Sequence, residues 1–254
     1  MSKSGNYKIR LIDKNDVERF VQIFRESFKT EYLIPSIYRG LGIKNFILNE
    51  LNNPLSPYRY FGLFYNDKLI GCAEYKIINK DTFFLNLIAS DNEFKGKGVG
   101  KAIINNTFEY FSKKGYNKVQ LDVYEDNEFV LKWYQSLGFV ELYKKSIYKL
   151  DNFICDETTS PVYILNYPQY KQLSEYYGFN YIDVMIDNKI VRLGVIENDL
   201  IIREEYSEYS KFASAYILKK LNFMNIYFIG DCNHKEPELI FMNNILRMEL
   251  NLIG

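Results

Sequence analysis

At 254 residues the chain exceeds the commonest single-domain size, and two cores rather than one are expected. Hydrophobic residues make up 47%, with 23 Tyr and 19 Phe, yet no stretch approaches the roughly 18 uninterrupted apolar residues of a membrane-spanning helix, so a soluble globular chain with no membrane partner is expected. Its 32 basic and 32 acidic side chains cancel, which removes the global field that attracts nucleic acid and leaves any anion binding to local lysines.

The N-terminus, Met-Ser-Lys-Ser-Gly-Asn-Tyr, lacks an apolar signal segment, and the three cysteines lack metal-ligand spacing, so a reducing cytoplasm is the expected setting. Cys72 falls in a strand-like run and reads as a small core residue, and Cys155 and Cys232 carry no further signal. The one histidine, His234, lies between polar neighbours, which argues against a histidine-based metal or catalytic cluster; no metal is expected.

Along the chain, Tyr7 to Ile12 alternates polar and apolar residues and predicts a first strand. Asp13 is placed to cap a helix that carries Val17, Phe20, Val21, Phe24 and Phe28 on one face. The loop Tyr32 to Arg39 is aromatic and irregular, and Gly40 to Leu51 reads as a second, shorter helix stopped by Asn52, Asn53 and Pro54. Tyr60–Tyr65 and Leu69–Ile77 read as strands joined by Asn66-Asp67-Lys68, which is hairpin chemistry. A third strand, Phe83 to Ser90, follows.

The next stretch sets three glycines and three lysines between that strand and a helix whose Val99, Ala102, Ile103, Thr107, Tyr110 and Phe111 share a face. A strand turning on glycines into a helix leaves backbone N–H groups unpaired at the positive end of the helix dipole, a geometry that binds phosphate. A Walker loop is rejected, because Lys95 stands where its first glycine is needed and Ala102 where its Ser or Thr is needed. The dinucleotide fingerprint fails as well, since Lys101 occupies its third glycine position. Lys95, Gly98 and Gly100 do fit a basic or amide residue, two spacers, Gly, any residue, Gly. That pattern resembles the acetyl-CoA signature of the GNAT superfamily of N-acetyltransferases, with Lys95 where Arg or Gln is usual.

After Gly115 the alternation of Val119, Leu121 and Val123 predicts another strand. The segment from Asn127 to Phe139 places Val130, Trp133 and Leu137 on one helical face and ends at Gly138. It is similar to a second GNAT signature, matched in register by Asn127, Val130, Tyr134, Gly138 and Phe139. A strand from Phe139 to Leu150 completes the unit. The resemblance covers residues about 5 to 150 and implies an α/β fold built on a mixed α+β sheet of GNAT type for a domain at 1–150.

The polar stretch 151–160 is expected to be a linker. Residues 161–254 are expected to form a second, smaller α+β domain. Its predicted elements are a hairpin, Tyr181–Ile186 and Lys189–Ile196 over Asp187-Asn188, a strand Leu200–Arg203, a helix Tyr209–Leu221, and strands Asn225–Ile229 and Ile245–Leu252. Its hairpin turn resembles that of the first half, but no glycine cradle recurs. A degenerate GNAT-like module and an unrelated cap or dimer interface both remain open, and so does a homodimer.

By resemblance the chemistry is acetyl transfer from acetyl-CoA to a primary amine of a small molecule or peptide. Lys95, Gly96, Lys97, Gly98, Val99, Gly100 and Lys101 would hold the pyrophosphate, and main-chain groups of Ile88, Ala89 and Ser90 the pantetheine arm. Tyr134 would protonate the leaving thiolate, with Asn127 orienting it or the cofactor; the competing readings are a Tyr that only packs and an Asn that only caps. The general base is unassigned: the strand before the cradle offers Thr82 and Asn86, leaving Glu74 and Glu125 as candidate carboxylates. The competing reading from another class is a non-catalytic acyl-CoA-binding sensor.

Overall fold

A computed structural model of the chain describes residues 6–151, 161–203, 206–231 and 237–252. Cys155, Cys232, His234 and the expected linker, apart from Asp151, lie outside the described residues.

The first half runs β1 (Tyr7–Leu11), α1 (Val17–Ser27), α2 (Ile43–Asn52), β2 (Tyr58–Tyr65), β3 (Lys68–Ile77), β4 (Thr82–Ser90), α3 (Val99–Ser112), β5 (Lys118–Tyr124), α4 (Glu128–Ser136) and β6 (Val140–Leu150). The second half runs β7 (Val162–Ile164), α5 (Tyr167–Tyr177), β8 (Phe179–Ile186), β9 (Lys189–Ile196), β10 (Asp199–Ile202), α6 (Glu208–Leu221), β11 (Asn225–Gly230) and β12 (Leu239–Asn251).

Both predicted hairpins form with the same turn. Asn66 and Asp67, and again Asp187 and Asn188, hold positive φ at the two central positions (47° and 65°; 48° and 63°), the backbone that matches strand twist and that Asn and Asp tolerate best after glycine. The α1 cap differs from the expectation. Asp16, not Asp13, is the N-cap, because the Asp16 carboxylate accepts the Asp13 N–H at 2.9 Å and an Arg10 guanidinium bond at 2.6 Å, closing a turn before the helix begins. Gly40 to Gly42 belong to turns ahead of α2 rather than to the helix itself.

The strands among the described residues join one 12-stranded sheet in the order β1-β2-β3-β4-β5-β12-β6-β11-β10-β9-β8-β7. The order carries an internal symmetry. In the first half β4 pairs parallel with β5, and β5 pairs antiparallel with β12 from the far end of the chain. In the second half β10 pairs parallel with β11, and β11 pairs antiparallel with β6 from the first half. β6 and β12 then pair with each other. Each half therefore places its own last strand beyond a strand taken from the other, a reciprocal exchange that makes the sheet continuous. We propose 1–150 and 161–254 as the two modules; the exchanged strands tie them into one sheet.

Packing follows strand alternation. Tyr75, Phe83, Leu85, Val119, Leu121 and Leu246 are buried on one face under α3 and α4, where Phe83 stacks on Phe111 of α3 with ring centroids 4.0 Å apart. The opposite face buries Tyr60, Cys72 and Ala89 against α1 and α2. Burial of rings such as Phe83 and Phe111 stabilises the fold by about 1.5–3 kcal/mol each. In the second half α6 covers Ile182, Leu193, Leu200 and Phe228. The junction is sealed by the segment after α1, where Ile34 packs with Ile147, Ile196, Ile201 and Ile229, and Arg39 pairs with the buried Asp199.

Three features of the second half depart from the expectation. α5 is a helix with no buried residue, so it lacks the apolar stripe that periodicity detects, although Pro168 near its start and Gly178 at its left-handed end mark it. β7 is a three-residue edge strand. β12 begins at Leu239 rather than Ile245, since its first residues pair with Leu150 to Tyr148 of β6 before a bulge at Phe241/Asn243.

Candidate functional site

Helix α3 starts on two left-handed glycines, Gly96 (φ 74°) and Gly98 (φ 79°). A β-carbon at either would meet nothing within 4 Å, so backbone conformation rather than crowding requires glycine here, and the space above the turn is open. The first bond of the helix is Ala102 N–H to the Gly98 carbonyl at 2.9 Å, which leaves the N–H groups of Val99, Gly100 and Lys101 ahead of the ladder. Lys95, Lys97 and Lys101 are exposed around them, and Gly100 lies close under Trp133, whose ring a β-carbon there would approach to 3.2 Å. The donor set and the open concavity fit a pyrophosphate.

Next to this turn the sheet parts. β4 and β5 pair from Thr82↔Lys118 to Leu85↔Leu121 and no further, so the edge of Asn86 to Ser90 that faces β5 has no partner strand. A bulge in β4, where Glu74 and Tyr75 of β3 oppose Leu87 and Leu85, skips Asn86 and turns its side chain out of the regular alternation. The parting opens a cavity of about 600 Å³ lined by Leu87 and Ile88 on one side and Val123, Asn127, Val130 and Tyr134 on the other. Of the expected strand contacts, Ile88 lines this cavity; Ala89 is packed toward α1, and the Ser90 carbonyl accepts the Ser27 hydroxyl at 3.1 Å.

Asn127 is the N-cap of α4, but its side chain makes no capping bond, and it lines the cavity. Tyr134 is buried at 5% exposure on the same wall, and burial raises its phenol above the ordinary tyrosine range, so it is protonated throughout the neutral range. Its hydroxyl has no hydrogen-bond partner among the described residues, in contrast to Tyr75, which is bound to Thr107 at 2.6 Å.

Glu74 lies fully buried behind Asn86. It accepts the Tyr38 hydroxyl at 2.5 Å and the Asn86 amide, and burial, only partly offset by those two donors, raises its pKa to about 7. Beside it the Tyr60 hydroxyl is buried without a partner among the described residues. Glu125 is placed differently: Asn244 donates to it at 2.5 Å and Lys144 stands at 3.5 Å, which hold it below the usual carboxylate range, and it does not line the cavity.

The cavity continues across the other face of the sheet, where the aromatic loop contributes Tyr32, Pro35, Ser36 and Ile37. Tyr32 stacks on Tyr124 at 4.5 Å and donates to Asp126 at 3.0 Å, which fixes the loop against β5. Sequence reasoning missed the far part of this wall, which includes Tyr143 and Lys145 of β6, and Arg203, Ile229, Ile245 and Arg247 of the second half. They are brought in by the exchange of β6 and β12, a pairing between positions about a hundred residues apart that no local pattern encodes.

Residues 17–139 match the model of the Acetyltransferase (GNAT) family. An uncharacterized N-acetyltransferase of Methanocaldococcus jannaschii is 41% identical over 51 residues, 20% of this chain, and the match spans 23% of that relative's length. Among solved structures, the PaiA N-acetyltransferase of Thermoplasma acidophilum in complex with coenzyme A aligns with 54% of this chain and 91% of its own, at 26% identity and a TM-score of 0.47. A tandem GNAT protein from the clavulanic acid biosynthesis pathway aligns with 98% of this chain and 99% of its own, with a TM-score of 0.70 at 8% identity. That likeness is one of fold, and it extends over both halves.

Proposed function

Residues 17–139 are a GNAT-family acetyltransferase domain, and from that premise we propose that the chain transfers an acetyl group from acetyl-CoA to a primary amine. The observation that carries this reading is the parting of β4 from β5 with the glycine turn at one end and the protonated Tyr134 on its wall. When bound, acetyl-CoA supplies the acetyl group as a thioester and departs as the free thiol. The N–H groups of Val99, Gly100 and Lys101 hold the pyrophosphate, and Lys95, Lys97 and Lys101 add charge. The unpaired edge of β4 at Leu87 to Ser90 offers main-chain groups to the pantetheine arm, and one of those N–H groups can meet the negative charge that develops on the carbonyl oxygen. Asn127 orients the arm beside Tyr134, which gives its proton to the sulfur as the carbon–sulfur bond breaks.

The amine must lose a proton as the carbon–nitrogen bond forms. Glu74, with its pKa near neutrality, is the proposed acceptor through water at Asn86, whose amide it fixes. Turnover should then rise with pH through about 7 as Glu74 ionises. Glu74→Gln should remove that rise and lower turnover about a hundred- to ten-thousandfold. Stability supplies the second readout. Because its folded-state pKa is raised, the stability Glu74 contributes is full below its ordinary value of 4.5 and is lost as pH rises through about 7. Glu74→Gln should therefore be more stable than the parent at pH 8, by at most about 3 kcal/mol, and lose the advantage in acid. An unchanged pH–rate profile would remove Glu74 from the reaction.

A second reading, an acyl-CoA-binding module without turnover, is favoured by one observation: the β4 bulge carries Asn86 and no carboxylate. Incubation with acetyl-CoA and a panel of primary amines, following free thiol, separates the two. Amine-dependent thiol release is expected. Tight acetyl-CoA binding with no release above buffer for any amine would leave the second reading standing.

A further inference from the structure

The half of the cavity that faces away from α3 and α4 is built from aromatic rings and cations. Lys76, Phe84 and Arg247 alternate along their strands with Tyr75, Phe83 and Leu246, which are buried under α3 and α4, so they project to the opposite face, away from the glycine turn. The register between β12 and β6 sets Arg247 opposite Tyr143 and Ile245 opposite Lys145, and Ile147 opposes Ile229 of β11. β10 runs parallel to β11 and ends its pairing at Ile202↔Phe228, so Arg203 emerges beside Ile229, at the place in the second half that Asn86 holds in the first.

The charges do not cancel. Arg247 is spent on Asp122, which accepts two bonds from its guanidinium at 2.5 and 3.0 Å. Asp122 is the one carboxylate among the described residues that line the cavity. Lys76 and Lys145 lie over the rings of Tyr58 and Tyr143 at 5.5 and 5.6 Å, and Arg203 donates to the Pro35 carbonyl at 2.7 Å; no ion pair joins any of the three to a carboxylate among the described residues. Among the described residues the other nearby acids do not line this wall: Glu74, which feels the charge of Lys76, is buried behind Asn86, and Glu31 and Asp126 line a separate, smaller cavity of about 340 Å³ on the far side of Tyr124.

We propose that the acceptor is an amine carrying an anionic group, which Arg203, Lys145 and Lys76 hold while its amino group faces the acetyl donor. The proposal rests on the acetyltransferase reading above. It gives the second half a role in this site: without a glycine turn of its own, it supplies Arg203 at the point where its own cleft would open. Polyamines, aminoglycosides and lysine-rich peptides are poor acceptors on this account, because they bring positive charge to a positive wall.

The test compares acceptors matched in length. Initial rates of acetyl-CoA-dependent thiol release are measured with 4-aminobutyrate, its amide and 1,4-diaminobutane, and with O-phosphoethanolamine against ethanolamine. Charge-assisted bonds of this kind correspond to roughly ten- to a hundredfold in kcat/KM, carried mainly in KM. The expected order is carboxylate above amide above diamine, or, if the anion is a phosphate, a larger preference for O-phosphoethanolamine over ethanolamine. Arg203→Gln and Lys145→Gln, each checked for retained acetyl-CoA binding by calorimetry, should shrink the anion-to-neutral ratio toward one. A diamine preferred over 4-aminobutyrate, or ratios untouched in both variants, overturns the proposal. Should no amine release thiol, anion recognition is read by saturation-transfer NMR of 4-aminobutyrate and 1,4-diaminobutane on the CoA-loaded protein. Preferential saturation of the carboxylate, lost in Arg203→Gln, upholds the anion site although transfer has failed; equal saturation overturns it.

Discussion

Tyr134→Phe is expected to lower turnover by about a hundred- to ten-thousandfold, the range of a positioned general acid. The substitution keeps the ring, which contacts Phe139 and Trp133, and removes a hydroxyl that has no partner among the described residues. Packing and thermal midpoint should therefore change little, and so should acetyl-CoA affinity, because the proposed pyrophosphate site lies at α3 and not at α4. A phenol held above its ordinary pKa of 10 by burial is a donor at every pH where the protein functions, so the deficit should be the same from pH 6 to 9. Turnover within a few-fold of the parent would reduce Tyr134 to a packing residue. A large drop in the thermal midpoint would instead show that its hydroxyl has a structural bond.

Ending the chain at Glu238, which removes β12, is expected to abolish cooperative folding of both halves rather than trim the second. β12 is paired along both edges, to β5 and to β6, and contributes Leu246 and Met248 to the core under α3 and α4. Those two side chains alone account for about 3–6 kcal/mol of burial, against a total stability of about 5–15 kcal/mol for a typical domain. The loss of backbone partners for β5 and β6 comes on top. Circular dichroism on heating should show no single sharp transition in the shortened chain. A cooperative melt close to that of the full chain would mean that the exchanged strand is dispensable. By the same reasoning a chain cleaved between 151 and 161 should elute as one particle, because β6 and β12 each remain paired within the other half.

The parts of this molecule that the sequence made legible are those whose signal is local. The two hairpin turns announce themselves as Asn-Asp and Asp-Asn between apolar runs, the glycine turn as a strand giving way to a helix, and α4 by Val130, Trp133 and Leu137 on one face with Gly138 at its end. Expectation and structure part where packing takes over. α5 buries no residue and so shows no stripe, and the α1 cap moved three residues because Asp16 found an Arg10 partner outside the helix. The site divides along the same line. Gly98, Tyr134 and Asn127 could be named through the resemblance to the GNAT signatures, and Glu74 only as one of two carboxylates, since what distinguishes it from Glu125 is burial against Tyr38 and Asn86. Arg203, Lys145 and Arg247 could not be named at all. They reach the cavity through a strand exchange that is fixed by sheet register and not by neighbours in the chain.

The central claim is that the glycine turn ahead of α3 holds acetyl-CoA and that the second half, lacking such a turn, holds none. Calorimetric titration of the full chain with acetyl-CoA, beside Gly98→Glu, tests it most directly. A glutamate at Gly98 sets a negative charge where the pyrophosphate is expected and forces a side chain into left-handed backbone at an open surface, where no neighbour lies within 4 Å of the new β-carbon and the core is untouched. The expected result is one equivalent bound per parent chain and an affinity at least a hundredfold weaker in Gly98→Glu, with the thermal midpoint lowered by only about 2–8 °C, the cost of the left-handed strain. Two equivalents per chain, or parent-like affinity in Gly98→Glu, would contradict it.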